Sequence, residues 1–275
     1  MAKRCGDLKQ GIALHLHQVS KDMVFVGSFD KNLYCLSAKN GKEIWRFATG
    51  EEIFNISPFP VHNGIIYCAS MDSYLYAIDI KNGKEVWRFK TGKYGNSSSP
   101  TLYNNLLFHP SRDGFLYALT LDGKVLWRFE YGKIIGPVIA ANKRLYVGGE
   151  DYFIYCLSLD GKPIWRFRAG YYVFWLSEVW ENKLYAGSWD CHLYAIDVTS
   201  GKELWRFATS TLQPSYLPPA YEAWETEIKT EGGEDYEESK EDKYARSLAM
   251  QEFGEYKAKS EYAMKSEYTS KSEYK

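Results

Sequence analysis

The chain has no long apolar run. Its opening, MAKRCGDLKQGIALHLHQ, holds no stretch able to serve as an export signal or to span a bilayer. It has almost no net charge: 34 Lys and Arg stand against 35 Asp and Glu, a formal −1 over 275 residues. Bulk electrostatics therefore select neither nucleic acid nor a membrane surface as partner. There is no cysteine framework either. The 5 cysteines are odd in number and fit no zinc or redox spacing, which excludes a disulfide scaffold and points to a cytoplasmic setting. Cys35, Cys68 and Cys156 fall in strand positions filled elsewhere by Ala or Val, so they read as small buried residues, while Cys191 falls in a turn. Catalytic fingerprints are missing as well: no G-x-S-x-G, Walker loop, dinucleotide fingerprint or H-E-x-x-H occurs.

What the chain does have is one phrase written five times: LYCLSAKNGKEIWRF, LYAIDIKNGKEVWRF, LYALTLDGKVLWRF, IYCLSLDGKPIWRF and LYAIDVTSGKELWRF. The tryptophans, Trp45, Trp87, Trp127, Trp165 and Trp205, recur at intervals of 42, 40, 38 and 40 residues. A period near 40 without helical spacing predicts an all-β propeller, one four-stranded blade per repeat. In the second repeat the predicted strands are 55–62, 65–70, 74–80 and 85–90, the last two alternating apolar and polar residues as half-buried strands do. Arg46, Arg88, Arg128, Arg166 and Arg206 alternate with the Trp and Phe of each W-R-F and read as the solvated side of the outer strand. Asp122-Gly123 and Asp160-Gly161 predict two-residue hairpins, whereas Asn40-Gly41, Asn82-Gly83 and Ser200-Gly201 predict longer ones with a left-handed Gly. A second turn carries Asp30, Asp72, Asp113, Asp151 and Asp190, each expected to cap its own turn through backbone N–H groups.

The segments Ala77-x-Asp79-x-x-Asn82-Gly83-Lys84-Glu85-x-Trp87 and Ala195-x-Asp197-x-x-Ser200-Gly201-Lys202-Glu203-x-Trp205 resemble the tryptophan-docking motif of the PQQ-like (quinoprotein-type) β-propeller family, over roughly residues 11–210. The resemblance implies that each Trp packs between neighbouring blades, near the motif's Ala and the peptide at its Gly. It is similar to the non-enzymatic branch that includes the barrel-assembly lipoprotein propeller. It implies a non-catalytic binding module or scaffold with no cofactor and a protein partner. The family's alternative is a dehydrogenase using pyrroloquinoline quinone and calcium. A small-ligand or carbohydrate binder, using aromatic loops as sugar platforms, is a third reading.

The expected architecture is a five-bladed propeller over 1–210, a Pro-rich linker at 211–220 and a charged tail at 221–275. That tail has 15 acids and 9 bases and closes on a repeated Lys-Ser-Glu-Tyr that presents Tyr262, Tyr268 and Tyr274. Closure of five blades within one chain gives a monomer; an open arc gives a homo-oligomer. The Gly-Lys hairpins, with Lys42, Lys84, Lys124, Lys162 and Lys202, share one face. The Asp turns and inter-blade loops share the other. That second face gathers Phe29, Phe54, Tyr94, Tyr152, Tyr171, Tyr172 and Trp189, candidate binding residues. His15, His17, Asn55, Asn96 and Glu178 are candidates for lining a central channel, where two histidines and a carboxylate raise a metal reading without a fixed third ligand.

Overall fold

The computed structural model describes residues 14–20, 22–54, 57–130, 132, 136–209 and 220–223. Five antiparallel sheets follow one another along the chain, each built of sequential strands. The first holds β1 (Leu14–Ser20), β2 (Met23–Ser28), β3 (Asn32–Ser37) and β4 (Glu43–Ala48). The second holds β5 (Val61–His62), β6 (Ile65–Ala69), β7 (Tyr74–Asp79) and β8 (Glu85–Lys90). The third holds β9 (Thr101–Tyr103), β10 (Leu106–Pro110), β11 (Phe115–Thr120) and β12 (Val125–Glu130). The fourth holds β13 (Ile139–Ala141), β14 (Arg144–Gly148), β15 (Phe153–Ser158) and β16 (Pro163–Arg168). The fifth holds β17 (Val173–Trp180), β18 (Lys183–Ser188), β19 (His192–Asp197) and β20 (Glu203–Ala208). These are the blades of an all-β propeller. A further strand, β21 (Ala220–Ala223), adds to the outer edge of the fourth blade, with Trp165 opposite Ala223 and Arg168 opposite Ala220.

The innermost strands depart from the expected 55–62 pattern. In the second blade only Val61–His62 pair, because Pro58 and Pro60 have no N–H to give to a ladder. The third blade, after Ser99-Pro100, likewise starts late, at Thr101. In the fifth blade β17 contains no Pro and runs for 8 residues. The outer pair of every blade carries the same irregularity: Cys35 faces Trp45 but Leu36 faces Glu43, so Ile44 bulges out. The same shift repeats in the other four blades.

The Asp-Gly hairpins are one residue longer than expected. Thr120 and Lys124 close the loop, Gly123 N–H donates to the Thr120 carbonyl, and only Gly123 takes the positive φ, at 84°. Ser158, Gly161 and Lys162 repeat it. The Asn-Gly type hairpins are as expected, with Gly41, Gly83 and Gly201 at φ 67°, 70° and 71°.

The core lies between blades. Trp45 Nε1 donates to the Ile80 carbonyl of the next blade at 2.9 Å, Trp87 to Leu121 at 2.9 Å, Trp127 to Leu159 at 3.0 Å and Trp165 to Val198 at 3.0 Å. Each indole covers the left-handed Gly of that next hairpin. A Cβ added at Gly83, Gly123, Gly161 or Gly201 would sit 2.5–2.9 Å from an indole carbon. Beside each Trp, the W-R-F phenylalanine packs edge-on against a tyrosine of the next blade: Phe47 on Tyr76, Phe89 on Tyr117, Phe129 on Tyr155 and Phe167 on Tyr194, with centroids 5.2–5.7 Å apart.

The fifth interface differs. Trp205 is 43% exposed and Phe207 62%, against 1% for both Trp165 and Phe167. Nothing lies within 4 Å of a Cβ built at Gly41, the first blade's equivalent of Gly83. Among the described residues the blades therefore form an open arc, and the docking role assigned to Trp205 is not realised as it is for the other four tryptophans.

The outward arginines follow their neighbours. Arg46, Arg88 and Arg206 pair with Glu43, Glu85 and Glu203. Arg128 and Arg166, which have Val125 and Pro163 at that position, instead sit over the Phe115 and Phe153 rings at 4.8 and 4.6 Å. Arg46, Arg88, Arg128 and Arg206 are the solvated side of the outer strand, as the alternation implies, whereas Arg166, on the strand whose edge β21 covers, is half-buried with its Nε shielded from solvent. Cys35, Cys68 and Cys156 are buried free thiols, and burial pushes those of Cys35 and Cys156 up to about 11 and about 12.

Candidate binding face

The Asp turns are built alike in every blade. The Asp72 carboxylate accepts the Tyr74 N–H at 3.0 Å and the Tyr76 hydroxyl at 2.7 Å. Asp113 and Asp151 repeat this with Phe115 and Tyr117, and with Phe153 and Tyr155. Asp30 and Asp190 repeat it with Asn32 and Tyr34, and with His192 and Tyr194. The carboxylate also does something the local pattern does not show: it accepts a backbone N–H from the preceding blade. Gly50 donates to Asp72 at 2.7 Å, Gly92 to Asp113 at 2.6 Å and Gly170 to Asp190 at 2.8 Å. The five aspartates are therefore structural. Burial raises the Asp151 carboxyl, opposed by the Tyr155 hydroxyl, and the Tyr155 phenol is driven well above its usual value. At exposed Asp30 burial pushes upward, but the hydrogen bonds from Tyr34, Asn32 and Ser28 outweigh it and the net direction is down.

The loops entering successive blades are pinned by a shared scheme. At the first-to-second junction Met71 N–H donates to the Glu52 carbonyl and Ser70 Oγ to that of Glu51. At the fourth-to-fifth junction Trp189 N–H donates to the Tyr172 carbonyl at 3.0 Å and Ser188 Oγ to that of Tyr171 at 3.2 Å. The frame is the same and the side chains are not: two acids and a Met in one place, two tyrosines and a Trp in the other.

The expected aromatic residues thus divide. Tyr152, Tyr171, Tyr172 and Trp189 come together, joined by Phe174, which the sequence reading missed. Tyr152 and Tyr171 stack at 5.3 Å and 23°, Tyr171 and Tyr172 lie 4.3 Å apart, and Phe174 meets Trp189 edge-on at 4.9 Å and 83°. Tyr172 links the two ends, 5.5 Å from Tyr152 and 6.0 Å from Trp189. Tyr152 and Phe174 form the floor at 9% and 8% exposure, while Trp189 stands 56% exposed. Burial, reinforced by Tyr171 and Glu150, raises the Tyr172 phenol to about 12, so that phenol is uncharged near neutral pH. Phe29 and Phe54 stack on each other at 5.7 Å at the first junction, a separate pair. Tyr94 is 64% exposed in the loop entering the third blade, outside the cluster.

Of the channel candidates, the side chains of Asn96 and Glu178 alone are among the described residues. His15 and His17 lie on β1, where the backbone alone is described, and Asn55 lies outside the described residues. Asn96 is fully buried and its amide oxygen accepts the Thr91 hydroxyl at 3.2 Å, whereas Glu178 is exposed on β17. Among the described residues no group of three or more His, Cys, Asp and Glu side chains is placed to hold a metal. His109 was not foreseen: it is fully buried, occupies the slot of Cys68 in the second blade, and neither ring nitrogen has a hydrogen-bond partner. Burial lowers its pKa to about 3. The sequence signal was only a His inside an apolar strand run.

Comparison with known proteins agrees with the repeat. A family model described as outer membrane protein assembly factor BamB matches residues 7–130 and 112–228. Among solved structures, BamB from Moraxella catarrhalis is similar at a TM-score of 0.59 and 16% identity, over 70% of this chain and 60% of that one. The computationally designed Ika8 protein is similar at 0.61 and 14%, over 73% of this chain and 63% of its own. The chain thus spans less than two thirds of either, and at these identities the likeness is one of fold. No curated protein sequence matches.

Proposed function

Because the chain belongs to the family described as outer membrane protein assembly factor BamB, whose model matches most of its length, we propose that it is a non-catalytic propeller that binds another protein through the face carrying the Asp turns, centred on Trp189. The observation that carries this reading is the contrast between one repeated backbone frame and one place where its side chains become a packed aromatic group. An exposed Trp on a buried aromatic floor is the composition of an interface hot spot: large area, few rotatable bonds, no charge to desolvate. Its loops are already held by hydrogen bonds to the fifth blade, so little ordering entropy opposes binding. The relatives' description as an assembly factor supports a protein partner over a small substrate.

The test is site-specific photo-crosslinking in the source cells, with the reactive group at position 189 and, as control, at Lys84 on the opposite face. The reading expects one discrete adduct from position 189, none from position 84, and loss of that adduct in Tyr172→Ala. Binding should weaken by about 2 kcal/mol on truncating Trp189. Equal labelling from both faces, or an adduct indifferent to Tyr172, would refute it.

A further inference from the structure

The two ends of the arc are the two halves of one interface. The fifth blade's outward face bears Trp175, Trp180, Trp205 and Phe207, all between 43% and 62% exposed. Tyr185 and Leu193 on that face are half-buried, while their counterparts in the fourth blade, Tyr146 and Ile154, are fully buried. The first blade's outward face is the matching surface. Ile66, Cys68, Tyr76, Ile78 and Ile80 in the second blade are 0–4% exposed where they receive Trp45 and Phe47. Their counterparts Val24, Val26, Tyr34 and Leu36 are half-buried, and Ala38 is exposed.

We infer that a second copy of this chain docks head-to-tail, its first blade against the fifth blade of its neighbour. Trp205 Nε1 would donate to the Ala38 carbonyl of the second copy. The indole would cover Gly41, and Phe207 would meet Tyr34 edge-on. Each of these contacts is made four times already within the chain. The receiving hairpin has the required shape, since Gly41 holds φ 67° with open space where the indole belongs. Among the described residues the chain's own first blade does not cover Trp205 or Phe207, and no indole covers Gly41. A face of four strands spans roughly 400 Å² per side, small for a permanent interface, so association belongs in the micromolar range. The contact is heterologous and leaves one face free at each end, so growth is stepwise. This inference is independent of the Trp189 face, which stays exposed in the assembly.

Sedimentation velocity of the full chain between about 1 and about 200 µM tests it. The wild type should show a weight-average coefficient that climbs with concentration. Trp205→Ala removes the inserting group. Gly41→Asn keeps the left-handed turn, which Asn tolerates, and fills the indole's place. Each variant alone should associate at least about tenfold more weakly, with an unchanged circular dichroism spectrum. Mixed, the two retain one intact pair of faces and should form a dimer that grows no further. A wild type that stays monomeric throughout would overturn the proposal, as would variants that associate like the wild type or a mixture that forms no dimer.

Discussion

Replacing Trp165 and Trp205 by alanine separates a docked tryptophan from an undocked one in the same repeat. A tryptophan buries up to about 250 Å², and the two are 1% and 43% exposed. At about 25 cal/mol per Å² that difference is worth about 2.5 kcal/mol. Trp165 also donates to the Val198 carbonyl at 3.0 Å, a bond worth about 1 kcal/mol net. That carbonyl is not orphaned by the change, because Arg144 donates to it too. Trp165→Ala should therefore cost about 4 kcal/mol and Trp205→Ala about 1 kcal/mol. Urea denaturation at about 1 µM, followed by far-ultraviolet circular dichroism, reads both. Adding Gly201→Ala makes the account sharper. Alone it bears the cost of a positive φ, about 1 kcal/mol, plus a Cβ 2.5 Å from the Trp165 indole, a further 1–3 kcal/mol or so. Combined with Trp165→Ala the clash has no object and only the φ cost remains, so the two changes must be less than additive. Equal losses for the two tryptophans, or strict additivity of the pair, would refute the docking geometry.

His109 makes stability depend on pH. Above about 6.5 it is neutral folded or unfolded and contributes nothing. Below that the unfolded chain takes a proton that the native state refuses down to about 3, so its contribution falls by about 1.4 kcal/mol per pH unit; His109→Leu should be flatter than wild type by about 2 kcal/mol at pH 5, and parallel curves would contradict this. Asp72→Ala strands the donors Gly50, Tyr74 and Tyr76 and should cost about 2–3 kcal/mol in urea melts, more than Asp30→Ala, whose described partners lie within its own turn; equal losses would remove the inter-blade role. Thiol labelling with peptide mapping should modify half-buried Cys191 in the native protein and reach Cys35, Cys68 and Cys156 only on unfolding.

The blade was legible because its signals are local. Alternation in LYAIDI and EVWRF, a left-handed Gly and an Asp cap each act within a few residues, and all five copies repeat them. What escaped depends on partners distant in sequence. The Asp72 to Gly50 bond joins different blades, so nothing near either residue announces it. Trp205 is written like Trp165 and differs only in what lies opposite. β21 sits at the end of TLQPSYLPPA, where three prolines speak for a linker, yet Ala220–Ala223 finds the outer edge of β16. The aromatic face was half legible: Trp189 and Tyr172 stood out as departures from the repeat, but which of the seven rings touch was decided by the loop between the fourth and fifth blades.

Hydroxyl-radical footprinting of all five repeat tryptophans at about 1 µM tests the docked arc most directly. The account predicts strong protection of Trp165, Trp45 and Trp127, less for half-buried Trp87, and rapid oxidation of Trp205. A Trp205 as protected as Trp165 would contradict the open fifth interface, and a Trp165 as reactive as Trp205 would contradict tryptophan docking itself.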